Sequence, residues 1–387
     1  MTPIDPYALD ADGLGDLLAD QPRYRADQVR QWLRRGVDDP AAMTNLPRAL
    51  RQRLAVQFVA PPRLARHTTA DGGLTHKVLL DYGPGREVES VLLLYPRRHG
   101  HAGRATVCIS TQAGCAMGCP FCATGQAGFR GQLTLGEILR QVTVVQRLLT
   151  TGEIAAQDAL PPSLVRRVPG HVTNVVFMGM GEPLANLAAT VDAVRWLCDQ
   201  DRGMGLSARS VTVSTVGLVP GIRRLADLGL PLTLAVSLHA PDDALRDELV
   251  PVNRQHPLAE VLAACRDWQD RTGRRLTFEY VVIDGINAEP EHARRLAALV
   301  GGLRAHVNLI PMNPTPAVPW HAPSAAAQQA FCDVLTRAGV PATVRRNRGT
   351  DIDAACGQLY ADYAAASGRV LPAAVGAADR LIPAGAP

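Results

Sequence analysis

Six times between Ala105 and Pro314 a short run of aliphatic and β-branched residues gives way to a stretch with helical spacing. The runs are ATVCIST, NVVFMGM, SVTVSTVG, LTLAVSLHA, LTFEYVVIDG and VNLIPMNP. Strands separated by a helix-length connection cannot pair as hairpins, so each connection crosses over, right-handed, to a parallel neighbour. Six such units, of about 30 to 40 residues each, predict an α/β fold, an open or partial (β/α)6 barrel. Its active-site groups are expected just after the strands, where the connecting loops converge. The first helix has a clear start: Thr134 and Glu137 have the spacing of a capping box, with Leu135, Ile138, Leu139 and Val142 behind them at helical intervals.

Outside this repeat the pattern changes. Residues 21–56 carry Val29, Trp32, Leu33, Leu46, Leu50 and Leu54 at helical spacing, which predicts a small helical module. From Thr75 to Leu94 the runs HKVLLDY and VESVLLLY read as strands, ending in a polar loop from Pro96 to Gly103 that marks a boundary. Beyond Ala364 the chain is Ala, Pro and Gly with few large apolar groups, so disorder is expected. The expected organisation is a helical accessory domain at 1–66, a strand-rich extension and linker at 67–103, a barrel core at 104–363 and a tail at 364–387.

With Asp5, Asp10, Asp12, Asp16 and Asp20 and no long apolar run, the first thirty residues do not read as a signal peptide, and no apolar run approaches the ~18 residues of a membrane span. A cytoplasmic protein with no membrane partner is expected. Eight cysteines in such a chain argue for metal binding or catalysis rather than disulfides. Cys198, Cys265 and Cys332 sit in helix-like apolar stretches and read as small buried residues. Cys108, Cys115, Cys119, Cys122 and Cys356 lie beside glycine-containing turns instead. Of 40 cationic residues Lys77 is the only lysine, a bias that makes the +4 net charge weak evidence for nucleic acid. Distribution says more, because residues 21–66 hold ten arginines against Asp27, Asp38 and Asp39, the footprint of either a phosphate-binding surface or a solvated helical face.

In CISTQAGCAMGCPFCATG, Cys115, Cys119 and Cys122 are spaced Cys-x3-Cys-x2-Cys directly after the first barrel strand. Three close thiolates can grip three irons of a cubane, and electron-transfer clusters usually take four, so this triad predicts a [4Fe–4S] cluster with one open iron. S-adenosylmethionine would chelate that iron through its amino and carboxylate groups. The alternative is a structural zinc site, with Cys108 or His101 as fourth ligand. After the second strand, Gly179 and Gly181 allow close backbone approach to a ligand, and Glu182 is placed to accept from the cofactor's ammonium. Ser214, Ser237, His239 and Asn313 occupy the same rim, each equally readable as a strand-end cap or a satisfied core group.

With these stretches, and with YRADQVRQWL, MTNLPRALR, RDELVPVN and RGTDIDAACGQL, the chain resembles the RlmN/Cfr family of radical S-adenosylmethionine RNA methyltransferases, and its RlmN branch in particular, from about Tyr24 to Tyr363. The resemblance implies a partial (β/α)6 radical-SAM barrel with a small N-terminal helical accessory domain. It implies methyl transfer to C2 of an adenine in 23S ribosomal RNA and in transfer RNA, with two S-adenosylmethionine molecules per turnover and an electron donor such as flavodoxin and its reductase. The adenine C2 lies between two electron-withdrawing nitrogens and cannot attack a sulfonium methyl, whereas a carbon radical can add to it. Cys356 matches the residue that is methylated on sulfur and carries the carbon to RNA. Cys108 matches the thiol that releases the adduct by a transient disulfide with Cys356. Glu89 matches the proton acceptor, although as a strand residue it reads equally well as a surface position. Gly181, Glu182, Ser214, Ser237, Leu238, His239 and Asn313 are the expected S-adenosylmethionine contacts. Arg345, Arg346 and Arg348 precede Cys356 and are candidates to steer phosphate toward it. Two rivals stand beside this reading: the related C8 methyltransferase, and a non-catalytic, zinc-containing RNA-binding protein.

Overall fold

The computed structural model describes residues 3–9, 11–154 and 160–359; the expected tail at 364–387 lies outside them. In chain order the helices are α1 (Ala11–Leu17), α2 (Tyr24–Arg34), α3 (Arg48–Gln57), α4 (Ala123–Gln126), α5 (Leu135–Thr150), α6 (Pro162–Val165), α7 (Leu187–Cys198), α8 (Val219–Ala226), α9 (Asp243–Leu249), α10 (Leu258–Thr272), α11 (Pro290–Val300) and α12 (Ala325–Arg337). The strands are β1 (Arg63–Ala70), β2 (Thr75–Asp81), β3 (Glu87–Tyr95), β4 (Arg104–Cys108), β5 (Gln112–Gly114), β6 (Phe129–Gln132), β7 (Asn174–Phe177), β8 (Val211–Thr215), β9 (Thr233–Ser237), β10 (Leu276–Val282), β11 (Ala305–Pro311) and β12 (Ala342–Val344). No helix among the described residues is long and apolar enough to cross a membrane.

Two compact units divide the chain: one of residues 1–110, 132–176 and 188–211, the other of 111–131, 177–187 and 212–387. In the first, β1 to β4 run antiparallel in sequence order, and β4 then pairs with β7 in parallel. Both faces of β2 and β3 are covered, since successive residues, which point to opposite faces, are buried along nearly the whole of each strand. One face packs on α5, where Ser90 Oγ donates to Gln141 Oε1 at 2.7 Å. The capping box of α5 forms as expected, with Thr134 N–H donating to Glu137 Oε2 at 2.8 Å and Glu137 N–H to Thr134 Oγ1 at 3.3 Å. The N-terminal helices dock on α5 as well. Buried Arg140 spans Asp38 at 2.7 Å and Asp5 at 2.9 Å, and Tyr7 donates to Thr143 Oγ1 at 3.1 Å. A buried guanidinium with two carboxylates locks that orientation, because removing either acid would strand charge.

In the second unit β8, β9, β10, β11 and β12 lie side by side in that order, all parallel, with α8, α9 to α10, α11 and α12 as the crossovers. The alternation of strand and helix thus does what its period predicts. Two features were not legible. The cysteine loop is held between β5 and β6, which pair as a separate two-stranded ribbon, and a further short strand, β12, follows the sixth repeat. Strands of three or four residues are too short to show a period.

Candidate active site

The cysteine loop is wound tightly by glycines that admit no side chain. Gly114, at φ +73, lies so close to the carbonyl of Gly128 that a Cβ would sit 1.8 Å from its oxygen. Immediately after it, Cys115 N–H donates to that same carbonyl at 3.0 Å. Cys122 N–H donates to Cys119 O at 3.2 Å, and the next residue, Ala123, donates to Gly357 O at 2.7 Å, joining this loop to the one that carries Cys356. Burial pushes the Cys115 thiol up to about 12 and Cys119 well above its ordinary value, with the neighbouring cysteines adding to both. Thiols raised in this way ionise side by side only where a multivalent cation joins them, which is the chemistry of an iron-cluster donor set. Among the described residues no three His, Cys, Asp or Glu side chains converge on a single-ion position. A cubane asks for no such convergence, because each thiolate takes a separate iron. The donor set therefore fits a cluster held by Cys115, Cys119 and Cys122.

Beside this loop the ends of β8 to β11 open into a cavity. Cys122, Gly181, Glu182, Ser214, Ser237, His239, Asn313 and Cys356 all line it. Only glycine fits at 181: its φ is +93, and a Cβ would meet Gln112 Cβ at 2.5 Å. The Glu182 carboxylate is buried and accepts from Leu184 N–H and Val216 N–H, both at 2.9 Å. Burial still pushes its carboxyl up to about 7, so a ligand ammonium would supply the charge it lacks. His239 adopts φ +63 and is held neutral, pushed down to about 3 by burial and then by Arg246. Its Nδ1 accepts from Val281 N–H at 3.1 Å, which leaves the ring proton on Nε2 as a donor.

Leu238 lies between Ser237 and His239, which both line the cavity. Its side chain is fully buried, its N–H donates to Glu279 O at 3.0 Å, and its carbonyl accepts from Arg246. The strand alternates, so a residue between two cavity-facing neighbours points into the core. Asn313 lines the cavity but also supports the chain: Nδ2 donates to Cys356 O at 2.9 Å, and Oδ1 accepts from Asn347 at 2.6 Å. Cys356 is exposed within the cavity, and the protein around it raises its thiol, partly offset by Arg345. Arg345 itself reaches the buried Glu279 at 3.4 Å, so it is tied into the wall. Glu279, also on the wall, was missed; the available signal was one charged residue inside LTFEYVV.

Arg246 is the other residue missed, although it lies in RDELVPVN. Fully buried, it donates to Leu238 O at 3.1 Å, Ser237 O at 3.0 Å, Val216 O at 2.5 Å and Asn253 Oδ1 at 2.7 Å. It thereby gathers the ends of β8 and β9 that present Ser214, Ser237 and His239. Arg246→Met should leave these oxygens unsatisfied and destabilise by about 3 to 5 kcal/mol. The urea midpoint would report it, and a loss of under ~1 kcal/mol would mean that the carbonyls find other donors.

Cys108 and Glu89 belong to the first unit and share one face of its sheet. Val91 on β3 pairs with Cys108 on β4, and Glu89 lies two residues before Val91. Glu89 is buried, not on an exposed face, and pairs with Lys77 at 3.1 Å. Of the three remaining cysteines, Cys265 and Cys332 are buried as expected, whereas Cys198 is only half-buried because it ends α7. In the same unit the polar loop after β3 meets residues 166–169 around an open hollow lined by Arg97, Arg98, His101, Arg166 and Arg167. The contributing segments, 96–110 and 160–173, hold five arginines and no acid. By contrast the basic stretch at 21–66 is partly neutralised, by Asp27 on Arg30 and Asp20 on Arg53.

A thiol triad on a loop beside a cavity at the ends of parallel strands defines a radical S-adenosylmethionine enzyme, a class that takes a [4Fe–4S] cluster and S-adenosylmethionine. Residues 109–297 match the model of the Radical SAM superfamily, and residues 9–59 that of the ribosomal RNA large subunit methyltransferase N-terminal domain. A protein of Parafrankia sp. named "Probable dual-specificity RNA methyltransferase RlmN" is 51% identical over 348 residues, covering 88% of this chain and 87% of its own. A protein of the same name from Frankia casuarinae is 50% identical over 374 residues, covering 95% and 84%. The crystal structure of a radical SAM methyltransferase from Sphaerobacter thermophilus superposes with a TM-score of 0.83 at 46% identity, covering 93% of this chain and 100% of that one. The chain belongs to the RlmN family of radical S-adenosylmethionine RNA methyltransferases. It is an enzyme whose substrate is RNA.

Proposed function

We propose that this enzyme methylates C2 of an adenine in 23S ribosomal RNA and in transfer RNA. The observation that carries the reading is Cys356 on the wall of the same cavity as Cys122, Glu182 and His239. A sulfur there can be charged with a methyl and then activated in place. Three ligands, Cys115, Cys119 and Cys122, would leave one iron open, and each turnover would use two S-adenosylmethionine molecules. Bound together, cluster and cofactor supply a methyl group for sulfur and a 5′-deoxyadenosyl radical that takes a hydrogen from it.

The chain's own residues do the rest. Glu182 and His239 orient the cofactor, one through its carboxylate and the other through its Nε2–H, and Ser214 and Ser237 add hydroxyls at the same rim. Cys356 holds the activated carbon and remains bonded to it while that carbon adds to the adenine ring. Glu89 accepts the ring proton, and the unpaired electron that the addition leaves on the ring would return to the cluster, giving a closed-shell adduct. The Cys108 thiolate attacks the Cys356 sulfur, and an S–S bond forms as the C–S bond breaks. The electron pair leaves with the methylene carbon, which takes up a proton and becomes the product methyl. A donor such as flavodoxin and its reductase supplies electrons, and the disulfide is later reduced. The arginine hollow and the helical domain at 1–66, which includes the matched 9–59, would meet phosphate, since such contacts fix register without reading sequence.

The test is one anaerobic reaction of the reconstituted enzyme with S-adenosylmethionine, reductant and unmodified RNA, followed by nucleoside mass spectrometry. Formation of 2-methyladenosine is expected from both RNAs. Formation of 8-methyladenosine alone would overturn the regiochemistry, and unmodified transfer RNA the dual substrate.

A further inference from the structure

This chain uses arginine at every cationic position but one, with 40 arginines and lysines in total and Lys77 the single lysine. That residue is not on the surface. Lys77 and Glu89 are each only 3% exposed, and their Nζ and Oε1 atoms stand 3.1 Å apart. Register explains the meeting. Lys77 on β2 pairs with Val91 on β3, and Val91 in turn pairs with Cys108 on β4, so the three form a row across one sheet face. Glu89 precedes Val91 by two residues and is the diagonal neighbour of both Lys77 and Cys108, about 7 to 8 Å away between Cα atoms. Ser110 Oγ, donating to Glu89 O at 2.7 Å, pins this end of the strand pair.

We infer that Lys77 is a positioning residue that keeps Glu89 ionised and aimed beside Cys108. The inference rests on the reading of Glu89 as proton acceptor. A carboxyl closed in by Leu79 and Val91 favours its neutral form, and a neutral acid cannot take a proton; an adjacent ammonium reverses that preference. In the step it serves, the C–H bond at adenine C2 breaks, its electron pair stays in the ring, and the proton goes to Glu89. The preference for lysine has a physical basis too. An ammonium is a compact charge with three donors, whereas a guanidinium brings five in a rigid fork that this closed face would have to satisfy. The other charged or titratable groups on this face of the strands are Arg63, Arg66, Asp81, Glu87, Tyr95 and Arg104, besides Cys108. Asp81 is engaged by Arg63 at 2.6 Å.

The test follows single-turnover methylation against pH in reconstituted full-length enzyme, with iron content and circular dichroism as controls. Lys77→Met should move the acid limb of the profile upward by about one unit or more, which is about tenfold in rate on that limb, with recovery at higher pH. Lys77→Arg, if it retains the charge beside Glu89, should keep the wild-type limb. A folded, iron-replete Lys77→Met enzyme with an unmoved limb overturns the inference. Glu89→Gln separates the two readings: if it turns over with the wild-type profile, the assignment of Glu89 as base fails instead. Should Lys77→Met not fold, the double variant Lys77→Met/Glu89→Gln decides by thermal unfolding. Restored folding shows that Lys77 answers the charge of Glu89, and continued misfolding shows a packing role and overturns the inference.

Discussion

Cys356→Ala is expected to lower RNA methylation by a factor on the order of 10³ or more while leaving iron, sulfide and reductive cleavage of S-adenosylmethionine intact. The structure separates the two effects. The side chain is exposed within the cavity, so its loss removes no core packing and should change stability by less than about 0.5 kcal/mol. What holds the loop is backbone: Asn313 on Cys356 O and Ala123 N–H on Gly357 O, both of which survive the substitution. Metal analysis and nucleoside mass spectrometry on one preparation make the comparison. Methylated adenosine at the wild-type rate would show that the methyl travels by another route.

Cys108→Ala is expected to stall the enzyme one step later, with protein covalently attached to RNA. The methylene bridge to Cys356 would form but lack the sulfur that releases it. Cys108 sits within β4, its backbone paired with Val91 on one side and Val176 on the other, and neither pairing depends on the thiol. Losing a half-buried sulfur should cost only about 1 kcal/mol of packing. Denaturing electrophoresis would resolve an RNA-linked species that nuclease trims and that wild type does not accumulate. Free enzyme with full turnover would contradict the releasing role. The two variants together dissect the cysteine pair, one losing attachment and the other losing release.

Much of this was readable before the fold. The period of strands and helices predicts the parallel series from β8 to β11, and the Thr134 and Glu137 pair predicts the start of α5, because each depends on neighbours within a few residues. The cysteine spacing, likewise local, predicts a cluster-binding loop, and the loop has the burial and mutual crowding that iron would relieve. Glu182 and His239 were expected at the rim because they follow strands. Between Ser237 and His239, the Leu238 side chain turns inward, a placement that strand alternation sets.

What sequence could not show are the pairings made by register. Glu89 alone is one acid on a strand, and Lys77 one cation on another. Only the antiparallel register of β2, β3 and β4 puts them 3.1 Å apart and beside Cys108. The same holds for Arg246, whose four acceptors come from positions 216 to 253. It holds again for the arginine hollow, built from segments some 70 residues apart in the chain, as in the bond from Arg167 to Arg97 O. By itself the sequence determined the class of fold, the cluster motif and the family, since these are carried by short-range period and spacing. The tertiary structure alone decided which buried charges face each other and which side chains reach the cavity. A contact between distant segments depends on how strands register and helices cross, and no local window of residues contains that.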